Sequence, residues 1–108
     1  MDTLGEFGIL LSELAAKAQD CRVSDEEMRA LVGAWPLPAQ PCRDHETRAR
    51  RLFEVLRLVR LLLFDDAAEW LRTPHPAFQG RSPICMMRTQ PGMIAALRDR
   101  LRLEIDAA

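Results

Sequence analysis

The side chains that could carry chemistry in this chain are two histidines and three cysteines. They show none of the short spacings by which proteins hold metal ions: His45, His75, Cys21, Cys42 and Cys85. Cys42 and His45 could be imagined as a nucleophile and a base, but nothing positions a third group or an oxyanion hole beside them. No nucleophile elbow and no glycine-rich phosphate or dinucleotide loop occurs. We therefore predict no metal, no cofactor and no enzymatic activity.

Other polar and sulfur-bearing residues have ordinary structural explanations. Adjacent acids before a helix are common caps, so Asp65 and Asp66 are predicted to cap the helix that follows them. Cys85 stands beside two methionines on an apolar stretch and is predicted to pack in the core. Each histidine is predicted to lie on the surface or to stabilise a loop. The odd number of widely spaced cysteines argues against a disulfide framework and fits a reducing cytoplasm.

Composition predicts one compact all-α domain of about six helices. The 108 residues are 48% hydrophobic but only 6% aromatic, with no tyrosine, so leucine, alanine, valine, isoleucine and methionine must form most of the core. The net charge of −1 argues against a chain that binds nucleic acid or acidic membranes by overall charge. No signal peptide is evident, and the apolar stretch at residues 58–64 is too short to span a bilayer. We expect a cytoplasmic protein.

Charge is unevenly distributed along the chain. Acids dominate up to residue 33, whereas arginines dominate residues 43–60. Such an asymmetry could mark a weak DNA-binding patch, a surface for an acidic partner, or internal pairing of the two halves. Internal pairing is the ordinary explanation and the one we favour, because charged runs are usually solvated faces.

Apolar periodicity and capping residues predict two helices before residue 34. The first carries apolar residues at three- and four-residue steps: Leu4, Phe7, Leu10, Leu11, Leu14 and Ala18. Ser24 and Glu27 have the spacing of a capping box, which predicts a second, short helix that ends by Gly33. Residues 35–41 contain three prolines and cannot be helical. We place a division there, between residues 1–42 and residues 43–108.

The longest predicted helix runs from about Arg43 to Phe64. Its polar stripe is narrow, which indicates a helix buried on several sides or half of a dimer interface. The next short helix carries Trp70, and residues 69–83, which include its end, contain a tryptophan, three prolines and a glycine. Ser82 and Pro83 suit the N-cap and first position of a further helix. A final amphipathic helix follows Pro91 and extends to about Ile105, the last of its predicted inward residues.

The segment after residue 69 resembles the toxin-binding domain of the Xre/MbcA/ParS antitoxins. The residues that carry the resemblance form a structural signature, with the pattern W-L-x-x-P, then G-x-x-P, then a glycine before the last helix: Trp70, Leu71, Pro74, Phe78, Gly80, Pro83 and Gly92. We expect Trp70, Leu71 and Phe78 to lie in the core. The resemblance covers residues 48–105. The chain departs from the family pattern at His75, where asparagine is usual, and at residues 84–87.

The resemblance implies a function. Members of this family pair with RES-domain toxins that consume NAD, and their C-terminal helix and tail occlude the NAD-binding cleft. Carried over to this chain, the occluding residues would be Arg98, Arg102, Ile105 and Asp106. Charged side chains on a helix can make charge-assisted contacts in such a cleft. We expect an antitoxin that neutralises a RES-domain toxin and forms a homodimer.

Two alternatives stay open. In the family, an N-terminal helix-turn-helix binds promoter DNA, and the first two predicted helices resemble its start. Residues 35–41 stand where the recognition helix should be, and they cannot present side chains along one face in the major groove. Arg48, Arg50 and Arg51 could still contact phosphates, as in an autorepressor. The other alternative is an orphan helical dimer without a toxin partner.

Overall fold

The computed structural model describes residues 3–38 and 40–107, with side chains from residue 8 onward. Within these residues the chain forms six α-helices and no strand. The helices are α1 (Thr3–Asp20), α2 (Asp25–Val32), α3 (Arg43–Leu63), α4 (Ala67–Arg72), α5 (Pro83–Thr89) and α6 (Gly92–Ala107). The predicted fold class, all-α with about six helices, is confirmed.

Helix α1 packs on α3 through the apolar stripe that the sequence predicts. Leu14 and Ala18 are buried, whereas Leu10 and Leu11 are partly buried against the same core. The predicted inward residues Leu4 and Phe7 lie outside the described side chains. Cys21, just after α1, is fully buried. Burial raises the pKa of its thiol, so this cysteine is a core residue and not a reactive group.

Helix α2 begins and ends as its capping residues predict. The hydroxyl of Ser24 accepts a hydrogen bond from the backbone N–H of Glu27 at 3.1 Å. The Glu27 carboxylate accepts one from the Ser24 N–H at 3.0 Å, which completes the capping box. At the other end, Gly33 has a φ of 103° and its N–H donates to Arg29. Glycine suits that left-handed conformation because it has no Cβ.

Helix α3 is the centre of the bundle, since α1, α2, α4 and α6 all pack against it. Its inward residues are almost completely shielded from solvent: Ala49, Leu52, Val55, Leu56, Leu58 and Val59. The apolar surface that suggested a dimer interface is therefore mostly covered within one chain. Among the large apolar side chains of α3 and of Phe64, which follows it, only Leu61 and Phe64 are well exposed.

The connection between α2 and α3 is non-helical wherever it is described, as its prolines require. Leu37 is buried and fixes this connection to the core. The same hydrophobic cluster continues from Leu14 in α1 to Leu101 in α6. The division between residues 1–42 and 43–108 stays a prediction.

Asp66 is the N-cap residue of α4, as the prediction that Asp65 or Asp66 caps this helix allows, but the expected side-chain hydrogen bond does not form. A turn of 3-10 helix, Phe64–Asp66, links α3 to α4, and Asp66 makes no side-chain cap hydrogen bond. The backbone satisfies this junction instead, because the Ala67 N–H donates to the Phe64 carbonyl. Arg60 also donates to that carbonyl at 2.9 Å and lies 3.7 Å from Asp65. These backbone and arginine contacts replace the expected caps.

Helix α5 starts as predicted but orients one residue differently. Ser82 Oγ accepts from the Cys85 N–H at 3.2 Å, and Pro83 occupies the first turn. The buried face carries Ile84, Met86 and Met87. The prediction that Cys85 packs in the core is wrong, because its side chain is exposed. With three buried neighbours on a seven-residue helix, Cys85 falls on the outer face.

Helix α6 confirms its predicted inward stripe. Ile94, Leu97 and Leu101 are buried, and Met93 and Ile105 are partly buried against the core. The helix packs mainly along α3, with further contacts to α5. No helix of the described chain is both long and apolar enough to cross a membrane.

Candidate partner-binding site

The loop between α4 and α5 is held in place by its own backbone. Thr73 adopts an extended conformation before Pro74, which ends α4. His75 and Arg81 form a single antiparallel bridge, in which the His75 N–H donates to the Arg81 carbonyl at 3.2 Å. Between them lies a turn of 3-10 helix, Pro76–Phe78. Gly80 has a φ of 75°, which reverses the chain at little steric cost.

Three aromatic rings pack together on this loop. Trp70 and His75 have ring centroids 5.3 Å apart, and Phe78 meets both rings edge-on at 6.2 Å and 5.9 Å. Such edge-to-face arrangements are favourable for aromatic pairs. His75 Nε2 lies 3.1 Å from the Trp70 carbonyl. A carbonyl only accepts, so this nitrogen carries the proton, and the predicted loop-stabilising role of His75 is confirmed.

The structure corrects the predicted burial of two signature residues. Leu71 is buried as expected, but Trp70 and Phe78 are only partly buried at the edge of the core. Their outer surfaces line a cleft of about 440 Å³ between the loop, the end of α3 and α6. The loop aromatics therefore serve two purposes, since one side packs on the core and the other forms an open surface.

The remaining signature residues have backbone roles. Pro74 and Gly80 are exposed, and they shape the loop without contributing to the core. Gly92 begins α6 and is also exposed. A Cβ at Gly92 would meet no atom within 4 Å. Local space therefore does not require glycine at this position.

A second, smaller cleft adjoins the first. It encloses about 270 Å³ and is lined by Gln79, Arg81, Gln90 and Arg100 together with apolar residues of α5 and α6. Phe78, Leu97 and Arg100 border both clefts. The Arg100 guanidinium carbon lies 5.8 Å from the Phe78 ring centroid, a cation–π distance. Sequence reasoning missed Arg81 and Arg100, because only the tertiary contact between the loop and α6 brings them to one surface.

The four residues predicted to occlude a toxin lie on α6, from its middle to its C-terminal end, in different environments. Arg98 is partly buried and its Nε lies 3.1 Å from Asp99. Arg102 pairs with Glu54 of α3. Ile105 is partly buried against the core, and Asp106 is exposed. The ion pair of Arg102 therefore holds α6 against α3, whereas the Asp106 side chain is exposed near the end of α6.

The arginines proposed to contact DNA lie in the first half of α3. Arg48 pairs with Asp44 at 2.9 Å, and Arg50 pairs with Glu46 at 2.9 Å, each one turn away. Asp44 and Glu46 therefore neutralise part of the positive charge with which these arginines would bind phosphates. Arg51 is partly buried on the same helix. DNA contact by these arginines stays a prediction.

A long-range ion pair joins the acidic N-terminal part to α4. Arg72 donates to both Glu27 oxygens, at 2.9 Å and 2.6 Å, and also to the Arg22 carbonyl. The hydrogen bonds from Arg72, opposed by burial and aided by Ser24, lower the pKa of Glu27 to about 2. Acids of the first part do pair internally here, but the partner is Arg72 and not an arginine of residues 43–60.

The polar groups of the described chain do not assemble into a metal site, since no three candidate ligands come together there. His45 lies against Gly33 and His75 against Trp70, on different parts of the fold. Cys42 and Cys85 are exposed, whereas Cys21 is buried. What the geometry offers is an open surface on which partly buried aromatic and apolar side chains lie beside arginines, a combination typical of protein interfaces.

The fold and this surface therefore define an all-α binding module. Residues 49–101 match the family model described as the antitoxin Xre/MbcA/ParS C-terminal toxin-binding domain. The chain therefore carries a toxin-binding domain of the Xre/MbcA/ParS type at these residues. The match spans the whole loop between α4 and α5, the smaller cleft, and every residue that lines the larger cleft except Glu104. Neither a curated protein nor a solved structure matches the chain.

Proposed function

We propose that this chain is the antitoxin of a RES-domain toxin that consumes NAD. It binds the toxin directly and blocks access of NAD to the toxin's active site. The chain itself does no chemistry, requires no cofactor and acts in the cytoplasm. The observation that carries the proposal is the family match at residues 49–101, because a toxin-binding domain implies a toxin as partner.

The end of α6 supports occlusion as the mechanism. The helix continues for six residues past the matched region, to Ala107. Arg102 is tied to Glu54 and holds the start of this extension on the bundle. Beyond it, Leu103 and Asp106 are exposed. A helix anchored at one end and exposed at the other can insert its exposed part into a cleft with little loss of conformational entropy.

The proposal includes a homodimer, supported by exposed apolar side chains at the C-terminal end of α3. Leu61, near the end of α3, is 53% exposed, and Phe64, directly after α3, is 69% exposed. Large neighbouring apolar side chains at a helix end favour a protein contact. An autorepressor that binds DNA remains the alternative, with Arg48, Arg50 and Arg51 as phosphate contacts.

Co-expression tests the proposal most simply. The tagged chain is produced together with the protein encoded beside it, purified, and assayed for NAD consumption. We expect a stable complex in which NAD consumption is suppressed. A chain truncated after Arg102 keeps the buried Leu101 and the Glu54 pair, so it should fold and bind but inhibit poorly.

A charge substitution provides the control. Asp106→Arg should weaken inhibition, because it changes an exposed side chain on the proposed occluding segment. Glu13→Arg changes an equally exposed acid on α1 and should leave inhibition intact. A chain that forms no complex, or a complex that leaves NAD consumption unchanged, would overturn the proposed function.

A further inference from the structure

The two clefts adjoin and share lining residues, and we call them together the loop–α6 groove. It is lined by residues of the α4–α5 loop, of α6 and of the end of α3. Phe78 and Arg100 stand where the clefts meet. The larger cleft is mainly apolar, and the smaller one is cationic. A ligand that fills the whole groove must therefore carry an apolar group at one end and an acidic group at the other.

The cationic end carries two arginines without carboxylate partners in the described chain. Arg81 and Arg100 are both exposed, and no described acid lies within ion-pair distance of either. By contrast, Arg72 and Arg102 are paired with Glu27 and Glu54. Arg100 is instead held over Phe78 at 5.8 Å. Stacking orients a guanidinium and leaves its N–H groups available for an acidic ligand.

The apolar end is built from partly buried side chains. Leu62, Leu63 and Trp70 form its walls. Leu101 closes it from α6, and Glu104 stands at its border. An apolar side chain placed here would be desolvated on several sides, as the central anchors of protein interfaces are. The carboxylate of Glu104 would repel an acid at this end, which fixes the direction of the occupant.

We propose that the loop–α6 groove binds a surface segment of the toxin that carries an apolar anchor and an acidic side chain. The anchor enters the cleft beside Trp70, and the carboxylate lies between Arg81 and Arg100. Charge complementarity supports this single occupant, since two guanidiniums favour a carboxylate by charge-assisted hydrogen bonds. The inference rests on the proposed function and adds a docking surface whose proposed binding residues, Trp70, Arg81 and Arg100, lie outside the occluding end of α6.

Charge reversal tests the cationic end. The probe is the purified toxin encoded beside this chain, and calorimetry measures its Kd with the full-length chain. Arg81→Glu and Arg100→Glu should each raise the Kd by about tenfold or more, because they turn attraction into repulsion. Arg57→Glu reverses an exposed arginine on α3 and should change the Kd by less than about twofold. Circular dichroism confirms that each variant is folded.

Photo-crosslinking gives a readout that does not depend on charge. A benzoylphenylalanine at Gln90, on the rim of the cationic cleft, should crosslink the toxin, whereas one at Arg57 should not. The crosslinked toxin peptide should contain an Asp or Glu. Unchanged affinity of the Arg81→Glu/Arg100→Glu double variant, or crosslinking from Arg57 alone, would overturn the inference.

Two further outcomes separate this inference from the proposed function. If the wild-type chain does not bind the toxin, the proposed function fails and the groove loses its proposed occupant. If the wild-type chain binds and inhibits the toxin but the groove variants do so equally well, only the docking surface is refuted. If these variants lose binding to operator DNA but keep toxin binding, the groove binds nucleic acid instead. That result would also overturn the inference.

Discussion

At the residue scale, the contact between Glu27 and Arg72 makes stability depend on pH. The folded pKa of Glu27, about 2, lies below its ordinary value of 4.5. Its ionised form therefore stabilises the fold fully above about pH 4.5, and this contribution disappears as the pH falls toward 2. Glu27→Gln should lower the free energy of unfolding by about 1–2 kcal/mol at pH 7, since solvent screens the partly exposed Arg72.

Denaturant unfolding at pH 7 and near pH 3 measures this effect. The difference between wild type and Glu27→Gln should shrink near pH 3, because Glu27 is then largely protonated in the unfolded chain and folding must release that proton. Glu26→Gln is the matched control, because Glu26 precedes Glu27 in the same helical turn but is exposed. An equal loss for both variants, or a Glu27→Gln loss that does not depend on pH, would contradict the role of the Arg72 pair.

Sequence reasoning at this scale succeeded for residues whose partners are local. The Ser24–Glu27 capping box spans three residues, and its chemistry depends only on that spacing. Arg72 could not be assigned to Glu27, because 45 positions separate them in the sequence. Arg100 could not be placed over Phe78 for the same reason. Non-local side-chain contacts depend on how the helices pack, which no short pattern specifies.

At the element scale, the junction that ends α2 depends on a single glycine. Gly33 has a φ of 103°, and a Cβ there would lie 2.5 Å from Cδ2 of His45. The His45 ring can move, so the main cost of a side chain is the backbone conformation. Gly33→Ala should lower the free energy of unfolding by about 1–2 kcal/mol.

Thermal unfolding compares this variant with Gly92→Ala. Gly92 begins α6 with open space around it. Alanine there should be neutral or stabilising by about 0.5–1 kcal/mol, because it restricts the unfolded chain. Equal effects of the two substitutions would refute the argument from the backbone conformation of Gly33.

The positions of the helices could be predicted because proline, glycine and capping residues mark their ends. Pro74 and Ser82 define the loop before α5 in the sequence as they do in the structure. The orientation of short helices could not be predicted equally well. Helix α5 has seven residues, too few for periodicity to distinguish the exposed Cys85 from its buried neighbours. The sequence predicts a side-chain cap by Asp65 or Asp66 before α4. A 3-10 turn closes this junction through a backbone hydrogen bond instead.

At the scale of the whole molecule, composition and periodicity were sufficient for the fold class but not for the binding surface. The low aromatic content and leucine-rich stripes predict a helical bundle, which the six helices confirm. The loop–α6 groove arises where three elements from separate parts of the chain meet. Trp70 and Phe78 suggested a core from their size, yet their position at the edge of the bundle leaves one side open.

In our proposal, the helical bundle supports two binding surfaces. They are the loop–α6 groove, which lies mostly in the matched domain, and the exposed end of α6. Helix α3 supplies the buried support, and α6 packs on it along most of its length. In our proposal, the loop–α6 groove holds the toxin while the exposed end of α6 fills its NAD-binding cleft. Separate surfaces for docking and occlusion predict that binding and inhibition can be impaired independently.

The most direct test is the kinetic mode of inhibition of the purified toxin by this chain. If the end of α6 occupies the NAD-binding cleft, the two compete for one site. The apparent inhibition constant should then rise linearly with NAD concentration, while the maximal rate at saturating NAD is unchanged. An inhibition constant that does not vary with NAD, together with a reduced maximal rate, would contradict occlusion as the mechanism.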